Sequence, residues 1–328
     1  MSRYRNLALF LTLSVIWGTA YVAIDAGLAT LPPVLFAALR YDVAGAALFA
    51  FALARSDRWR PRTLDEWRLV AVGGLLVIGL NFAFLFSGQR YVGGSIAAIV
   101  ASTAPVLTPL FARFLLPDEA LDRRGVVGVL LGLAGVVVVA TGGSTLGGDL
   151  LGVVLLALAA LSFALGTVLT ERYDAPLSLV PTQAWMMLVG AAFLHAVSGL
   201  LGETPPLSVT WTPTAFAALA YLSLVSSAVG YVLYFDLLAQ LGAVEISLVK
   251  YVVPVVTALV GWAILGESLA ADTVAGFALI VGGFALLKGG DAFDEVVRVQ
   301  AHIGRGYDAE NVYIPDSSAR REAAFGDD

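Results

Sequence analysis

From Leu7 to Leu287 the chain is a series of long apolar blocks separated by short polar or Gly/Pro breaks. Ten blocks stand out, at approximately 7–28, 33–54, 67–88, 94–116, 125–142, 149–170, 180–200, 213–238, 243–266 and 272–287. Each is near the ~20 residues that carry a helix across ~30 Å of hydrocarbon, the last one short. Leu31-Pro32-Pro33, the stretch from Arg55 to Pro61, Gly93-Gly94, Gly142-Gly143 and Pro205-Pro206 mark breaks between them. Arg3 and Arg5 ahead of the first block suggest a secretory leader, but the run to Leu28 is too long for one and no small-x-small cleavage site follows it. The pattern predicts an all-α integral membrane protein with ten transmembrane helices.

Composition agrees. Hydrophobic residues make up 59% of the 328 positions and charged residues 13%, about half the usual soluble share of ~25%. A bilayer can cover that much apolar surface; a soluble core of this size cannot. The absence of cysteine excludes disulfides, thiol nucleophiles and thiolate metal sites. The net charge of −6 is uneven: residues 291–328 hold nine acidic residues against four arginines, which predicts a soluble acidic tail over 288–328.

Basic residues fix the expected orientation. With the N-terminus inside, thirteen Arg and Lys fall on inner segments (Arg3, Arg5, Arg55, Arg58, Arg60, Arg62, Arg68, Arg113, Arg123, Arg124, Arg172, Lys288 and Arg298), and Arg90 alone falls outside. That asymmetry places both termini in the cytoplasm, as an even number of spans requires.

The second five blocks echo the first five. Leu13-Ser14-x-x-x-Gly18-Thr19 matches Leu161-Ser162-x-x-x-Gly166-Thr167, offset by 148 positions. Gly45-Ala46-Ala47 matches Gly190-Ala191-Ala192, and Gly93, Pro105, Leu116 and Asp118 match Gly242, Pro254, Leu265 and Glu267. Five is odd, so the second copy enters the membrane in the opposite sense. The expected organisation is two inverted five-helix repeats, 1–142 and 149–287, followed by the tail, and internal repeats around a midplane site are common among secondary transporters.

Trp17-Gly18-Thr19, Arg40 and a mid-helix proline followed by an acidic residue (Pro105 with Asp118-Glu119, Pro254 with Gly266-Glu267) resemble the EamA-type members of the drug/metabolite transporter superfamily. The resemblance covers residues 7 to about 287 and differs at Pro117-Asp118-Glu119, where the family usually has Gly-Glu. It implies a ten-helix bundle with spans 5 and 10 peripheral and a substrate path lined by spans 1–4 and 6–9.

Lys250 and Arg40 are the basic side chains set well inside spans. A charge there costs roughly 2.5 kcal/mol or more and needs a cavity or a partner. Pro254, four residues after Lys250, removes the helical donor to the Lys250 carbonyl. Lys250 therefore either faces a polar substrate or pairs with Asp236 or Glu245, or it snorkels to the inner surface. For Arg40 the natural partner is Asp25, as a clamp or beside a substrate. Asn81, Gln183, Ser162, Thr167 and Thr103 are candidates for interhelical bonds or substrate contact. Trp17, Tyr21, Trp185, Tyr231 and Tyr234 are candidates to stack on a ligand; aromatics near span ends more often anchor at the interface, so the deeper Trp17, Trp185 and Tyr231 are the better ones. His195 lacks a carboxylate or histidine at i±3 or i±4, which favours a packing role. Glycines of spans 5 (Gly128, Gly132, Gly135) and 10 (Gly276, Gly282, Gly283) suit close helix packing.

These residues narrow the function. The two lysines precede Tyr251 and Gly289, so no phosphate-loop Gly-Lys-Ser/Thr exists. Two histidines, no cysteine and no paired intramembrane carboxylates argue against a membrane hydrolase or metalloenzyme. No filter loop or ring of like charge suggests a channel. The reading is a secondary transporter or facilitator in the cell membrane, an exporter of an amino acid, other polar metabolite or drug-like compound, working by alternating access about Pro105 and Pro254. A non-transporting scaffold or sensor is the alternative. Its expected partners are a small-molecule substrate and the lipid bilayer, with protons a candidate coupling ion; no cofactor, metal or nucleic acid is called for, and oligomeric state is left open.

Overall fold

The computed structural model describes residues 2–115, 123–141, 148–170, 172–173, 177–241, 246, 249–266 and 270–286. Residues 1–287 form one compact unit and 288–328 another. The expected acidic tail lies outside the described residues, as do the Asp118-Glu119 and Glu267 positions.

The described elements are helical. They are α1 (Ser2–Leu28), α2 (Pro33–Arg55), α3 (Leu64–Gln89), α4 (Gly94–Leu115), α5 (Arg123–Thr141), α6 (Gly148–Thr170), α7 (Leu179–Leu200), α8 (Pro213 to Leu241), α9 (Val249–Leu265) and α10 (Ala271–Leu286). Seven are long and apolar enough to cross a membrane, and α5, α9 and α10 are shorter apolar helices. α1 begins five residues before the expected span, because its arginine-rich first turn continues the helix.

Local chemistry sets the helix ends. α2 opens with Pro33, which suits the first helical position. The free N–H groups of Val34 and Leu35 donate to the Glu203 carboxylate, which also accepts from Ser198 Oγ. α3 opens with a capping box between Thr63 and Glu66. Glu66 is fully buried and also holds Arg58, 2.5 Å away, with the backbone N–H of Arg62 at 2.7 Å. Gly266 closes α9 at φ +69, a left-handed turn that side chains disfavour.

The duplication is visible in the packing. α3 and α8 each carry a wide π-helical segment, Gly73–Leu80 and Tyr221–Val229, whose starts lie 148 positions apart. That offset also relates Gly18 to Gly166. α1 packs on α9 as α6 packs on α4, and α8 packs on α1 as α3 packs on α6. α2 and α7, equivalent to each other, form the most extensive helix pair. The start of α2 meets the end of α7 at Glu203, while Trp59, beyond the end of α2, meets Trp185 near the start of α7. The two therefore run antiparallel.

Glycines bring backbones together where the sequence indicated. A Cβ on Gly135 would come within 2.6 Å of the Gly276 carbonyl, so α5 and α10 touch along their glycines. On Gly18 it would meet Val256 at 2.6 Å, and Thr257 Oγ1 donates to the Gly18 carbonyl across the same contact.

The two proline sites differ. α4 is interrupted at Ser102-Thr103, and its second part starts at Ala104, which puts Pro105 in a first turn where no donor is lost. α9 runs through Pro254 as one helix from Val249 to Leu265. The first repeat breaks just ahead of its proline, whereas in the second the helix continues through it, so a break at Pro254 is not seen.

Candidate functional site

A cavity of about 330 Å³ lies among α1–α4 and α6–α9, within the range of small-ligand sites. α1 contributes Trp17, Tyr21 and Ile24, α3 contributes Asn81, Phe82 and Leu85, and α4 contributes Ala101 and Ser102. The second repeat adds Phe163, Thr167 and Thr170, Gln183 and Met186, Ser226, Tyr231 and Tyr234, and Lys250. Arg40 of α2 completes it, and no Asp or Glu is among the described residues that line it.

The π-helical segments shape this space. Their wide turns displace carbonyls from regular helical pairing, and such segments recur at functional sites. Each is met by a donor from the other repeat: Trp17 Nε1 donates to Ser226 O at 3.2 Å, and Ser162 Oγ donates to Leu76 O at 2.9 Å. Asn81, at the end of the first segment, donates to Val77 O. Trp17 also stacks on Tyr234, ring centres 5.4 Å apart at 29°, and meets Tyr231 edge-on at 6.0 Å. The result is an aromatic wall on one side of the cavity.

Lys250 lines the cavity. Its Nζ sits 3.6 Å from the centre of the Phe163 ring, a cation–π contact. Among the described residues no carboxylate pairs with it; Asp236 bridges to Arg5 at 3.5 Å, and Glu245 is outside the described residues. Lys250 is a cation aimed at the cavity.

Arg40 is 5% exposed and donates through Nε to Ser227 Oγ at 3.0 Å and through Nη2 to Ser226 Oγ at 3.4 Å. Tyr41 and Phe82 cover it at 5.1 and 5.0 Å. The expected Asp25 clamp is corrected. Asp25 Oδ1 accepts from Gln89 Nε2 at 2.7 Å and Oδ2 from the Gly94 N–H at 2.9 Å, and Gln89 also donates to the Tyr21 carbonyl. A carboxylate near the end of α1 meets two donors at the α3–α4 turn sooner than it reaches a guanidinium turned toward α8. Together these bonds tie α1, α3 and α4 at the end of the bundle away from the arginine-rich face.

Of the sequence candidates, Lys250, Arg40, Trp17, Asn81, Tyr231, Gln183 and Thr167 line the cavity, whereas Ser162 and Thr103 are not among its lining residues. Nor is Trp185. Its Nε1 donates to Trp59 O at 2.9 Å, and its ring packs edge-on against Phe49 and Trp67. Gln183 and Trp185 are two residues apart, about 200° round the helix, so one face cannot carry both. Tyr21 and Tyr234, ranked below the deeper aromatics, line the cavity as well, and Phe163, Ser226 and Ser227 were not singled out. The packing role expected for His195 is also corrected: its Nε2 lies 2.6 Å from Asp42 Oδ2 on another helix.

A bundle of long apolar helices around an aromatic-walled cavity is, among the described residues, the build of a multi-pass membrane protein. The chain belongs to the EamA-like transporter family, whose model matches it twice, over residues 5–141 and 150–288. It is 31% identical over 275 residues to the uncharacterized inner membrane transporter YedA of Escherichia coli (strain K12), covering 82% of this chain and 87% of that one. It is 28% identical over 283 residues to the uncharacterized transporter YvbV of Bacillus subtilis (strain 168), covering 86% and 90%. One solved crystal structure superimposes with a TM-score of 0.60 at 25% identity, over 87% of this chain and 97% of that chain.

Proposed function

We propose that this chain moves small metabolites bearing a carboxylate or other anionic group, by alternating access, across the cell membrane. The observation that carries the reading is Lys250: an ammonium in an aromatic cavity, over Phe163, with no carboxylate paired to it among the described residues. A cation held there without a counter-ion is costly unless a ligand supplies one. Arg40 adds a second positive group, and Trp17, Tyr231 and Tyr234 offer faces for an aromatic or apolar portion of the solute. Asn81 and Gln183 supply amides for its remaining polar groups.

In this reading α1–α10 are ten spans in two inverted repeats, with both termini in the cytoplasm. The lining reaches Thr170, the last residue of α6, and Gln183 in the second turn of α7, both toward the arginine-rich face. A cytoplasmic solute would enter there, which supports export. The bonds among Asp25, Gln89 and Gly94 would hold the opposite end shut until the repeats rock.

The test is a solute panel on purified protein in lipid nanodiscs, matched in size and differing in charge. Anionic members should raise the melting temperature and cationic analogues should not. Stabilisation by cations alone would overturn the substrate class.

A further inference from the structure

Outside the cavity, two ionisable side chains meet across the joint between the repeats. His195 Nε2 on α7 and Asp42 Oδ2 on α2 are 2.6 Å apart, and neither lines the cavity. Their side chains are 38% and 42% exposed. Val43, Ala46, Ala192 and Ala196 around them are exposed as well, so the pair lies on the outer surface of the bundle, which in a bilayer would meet hydrocarbon. At 1.5 Å per residue, Asp42 is about 13 Å from the start of α2 and His195 about 8 Å from the end of α7.

Groups this deep are expensive and tend to mark function. Packing symmetry does not explain them: offset by the 145 positions that relate Gly45 to Gly190, their equivalents are Met187 and Ala50. The other half of the same joint is closed by Trp185 against Phe49. The pair is therefore a one-sided addition to an otherwise apolar seam.

Its chemistry is that of a proton. With Asp42 ionised and His195 neutral, Nε2–H donates to the carboxylate and the pair carries one negative charge. One added proton, taken at Nδ1, makes an imidazolium–carboxylate pair of zero net charge, the form a hydrocarbon surface favours. Most other charged and titratable groups on the neighbouring helices are engaged elsewhere. On α2, Arg40 turns to Ser226 and Ser227, and Tyr41 is buried beside Phe82. On α8, Tyr221 donates to the Ile16 carbonyl, and on α1 Asp25 is held at Gln89. Glu203, past the end of α7, caps α2, while Asp65 and Glu66 of α3 pair with Arg68 and Arg58.

We propose that Asp42 and His195 form a proton-binding site, distinct from the substrate cavity, whose protonation holds this half of the joint between the repeats closed. It rests on the reading that the repeats rock about that joint, and it supplies a route by which a proton gradient biases the motion.

The chain has no cysteine and its only other histidine is His302. The test uses the full chain in nanodiscs, with His302→Gln throughout and spin labels on Thr30→Cys and Thr210→Cys, one in each repeat beyond the joint. Distance distributions are read by double electron–electron resonance at about pH 8.5 and about pH 5.5. Acidification should move the population toward the short distance, by up to about tenfold per pH unit for one linked proton. Asp42→Asn and His195→Gln should each abolish that shift. The double variant Asp42→Leu/His195→Leu should stay at the short distance at every pH. A parent protein without a pH response, or single variants that keep the full response, would overturn the proposal. No solute enters this measurement, so a wrong substrate class leaves it readable, and an anion transporter with a pH-insensitive joint would refute only the proton site.

Discussion

Replacing Lys250 with Met isolates the charge while keeping the side-chain length. In the empty cavity the change removes one cation–π contact with Phe163, worth about 0.5–2 kcal/mol, and it relieves the cost of an ammonium to which no carboxylate is paired among the described residues. Stability should hence change little. With an anionic solute bound, an ammonium about 4 Å from a carboxylate gains about 4 kcal/mol at an effective dielectric constant of 20, offset in part by desolvation of both groups. Even a third of that, about 1.4 kcal/mol, is tenfold in affinity. We expect Lys250→Met to weaken solute binding and transport at least tenfold with the melting temperature in detergent preserved, and Lys250→Arg to recover part of the loss. Were Lys250 half of a buried ion pair, removing it would strand a carboxylate and cost about 3–5 kcal/mol of stability. Normal transport by Lys250→Met, or activity lost in proportion to stability, would refute the reasoning.

Other outcomes follow from the fold. Single cysteines replacing Arg58 and Asp328 should react with impermeant reagents from the cytoplasmic side alone, and one replacing Thr204 from outside; external labelling at Asp328 would contradict the ten-span topology. Truncation after Gly290 should leave transport intact, since the acidic tail lies beyond both family repeats; loss of transport at normal membrane levels would contradict this. Gly135→Val should lower the melting temperature, because its Cβ would collide with the Gly276 carbonyl and Ile280, and overpacking of this kind typically costs about 1–3 kcal/mol.

Much of the architecture was legible because the bilayer imposes it. Long apolar blocks, their breaks and the offset between Gly18 and Gly166 are linear features, and the helices and their pairings follow them. Lys250 and Arg40 were legible as cavity residues for a related reason: a cation within an apolar span has few places to go. What escaped depends on neighbours remote in sequence. Asp25 was matched to Arg40 on charge, but the nearest donors belong to Gln89 and Gly94. A search for partners of His195 on its own helix could not find Asp42, more than a hundred positions away on another. The π-helical turns of α3 and α8 left no mark, since Gly73–Leu80 and Tyr221–Val229 share apolar content but little local pattern. Trp185 shows the converse error, a deep aromatic chosen without regard to helix phase.

That the solute passes between Lys250 and Arg40 can be examined at Ala101, the position on α4 equivalent to Lys250 and part of the cavity wall. Ala101→Cys in this cysteine-free chain gives one reactive thiol, to be modified by a bulky methanethiosulfonate after reconstitution into proteoliposomes. Counterflow of an anionic solute identified by the nanodisc panel is then measured before modification, after it, and after reduction. Transport should fall to background on modification and return when the adduct is reduced, with the unmodified parent insensitive to the reagent. Full transport by completely modified protein would show that the cavity is not the path.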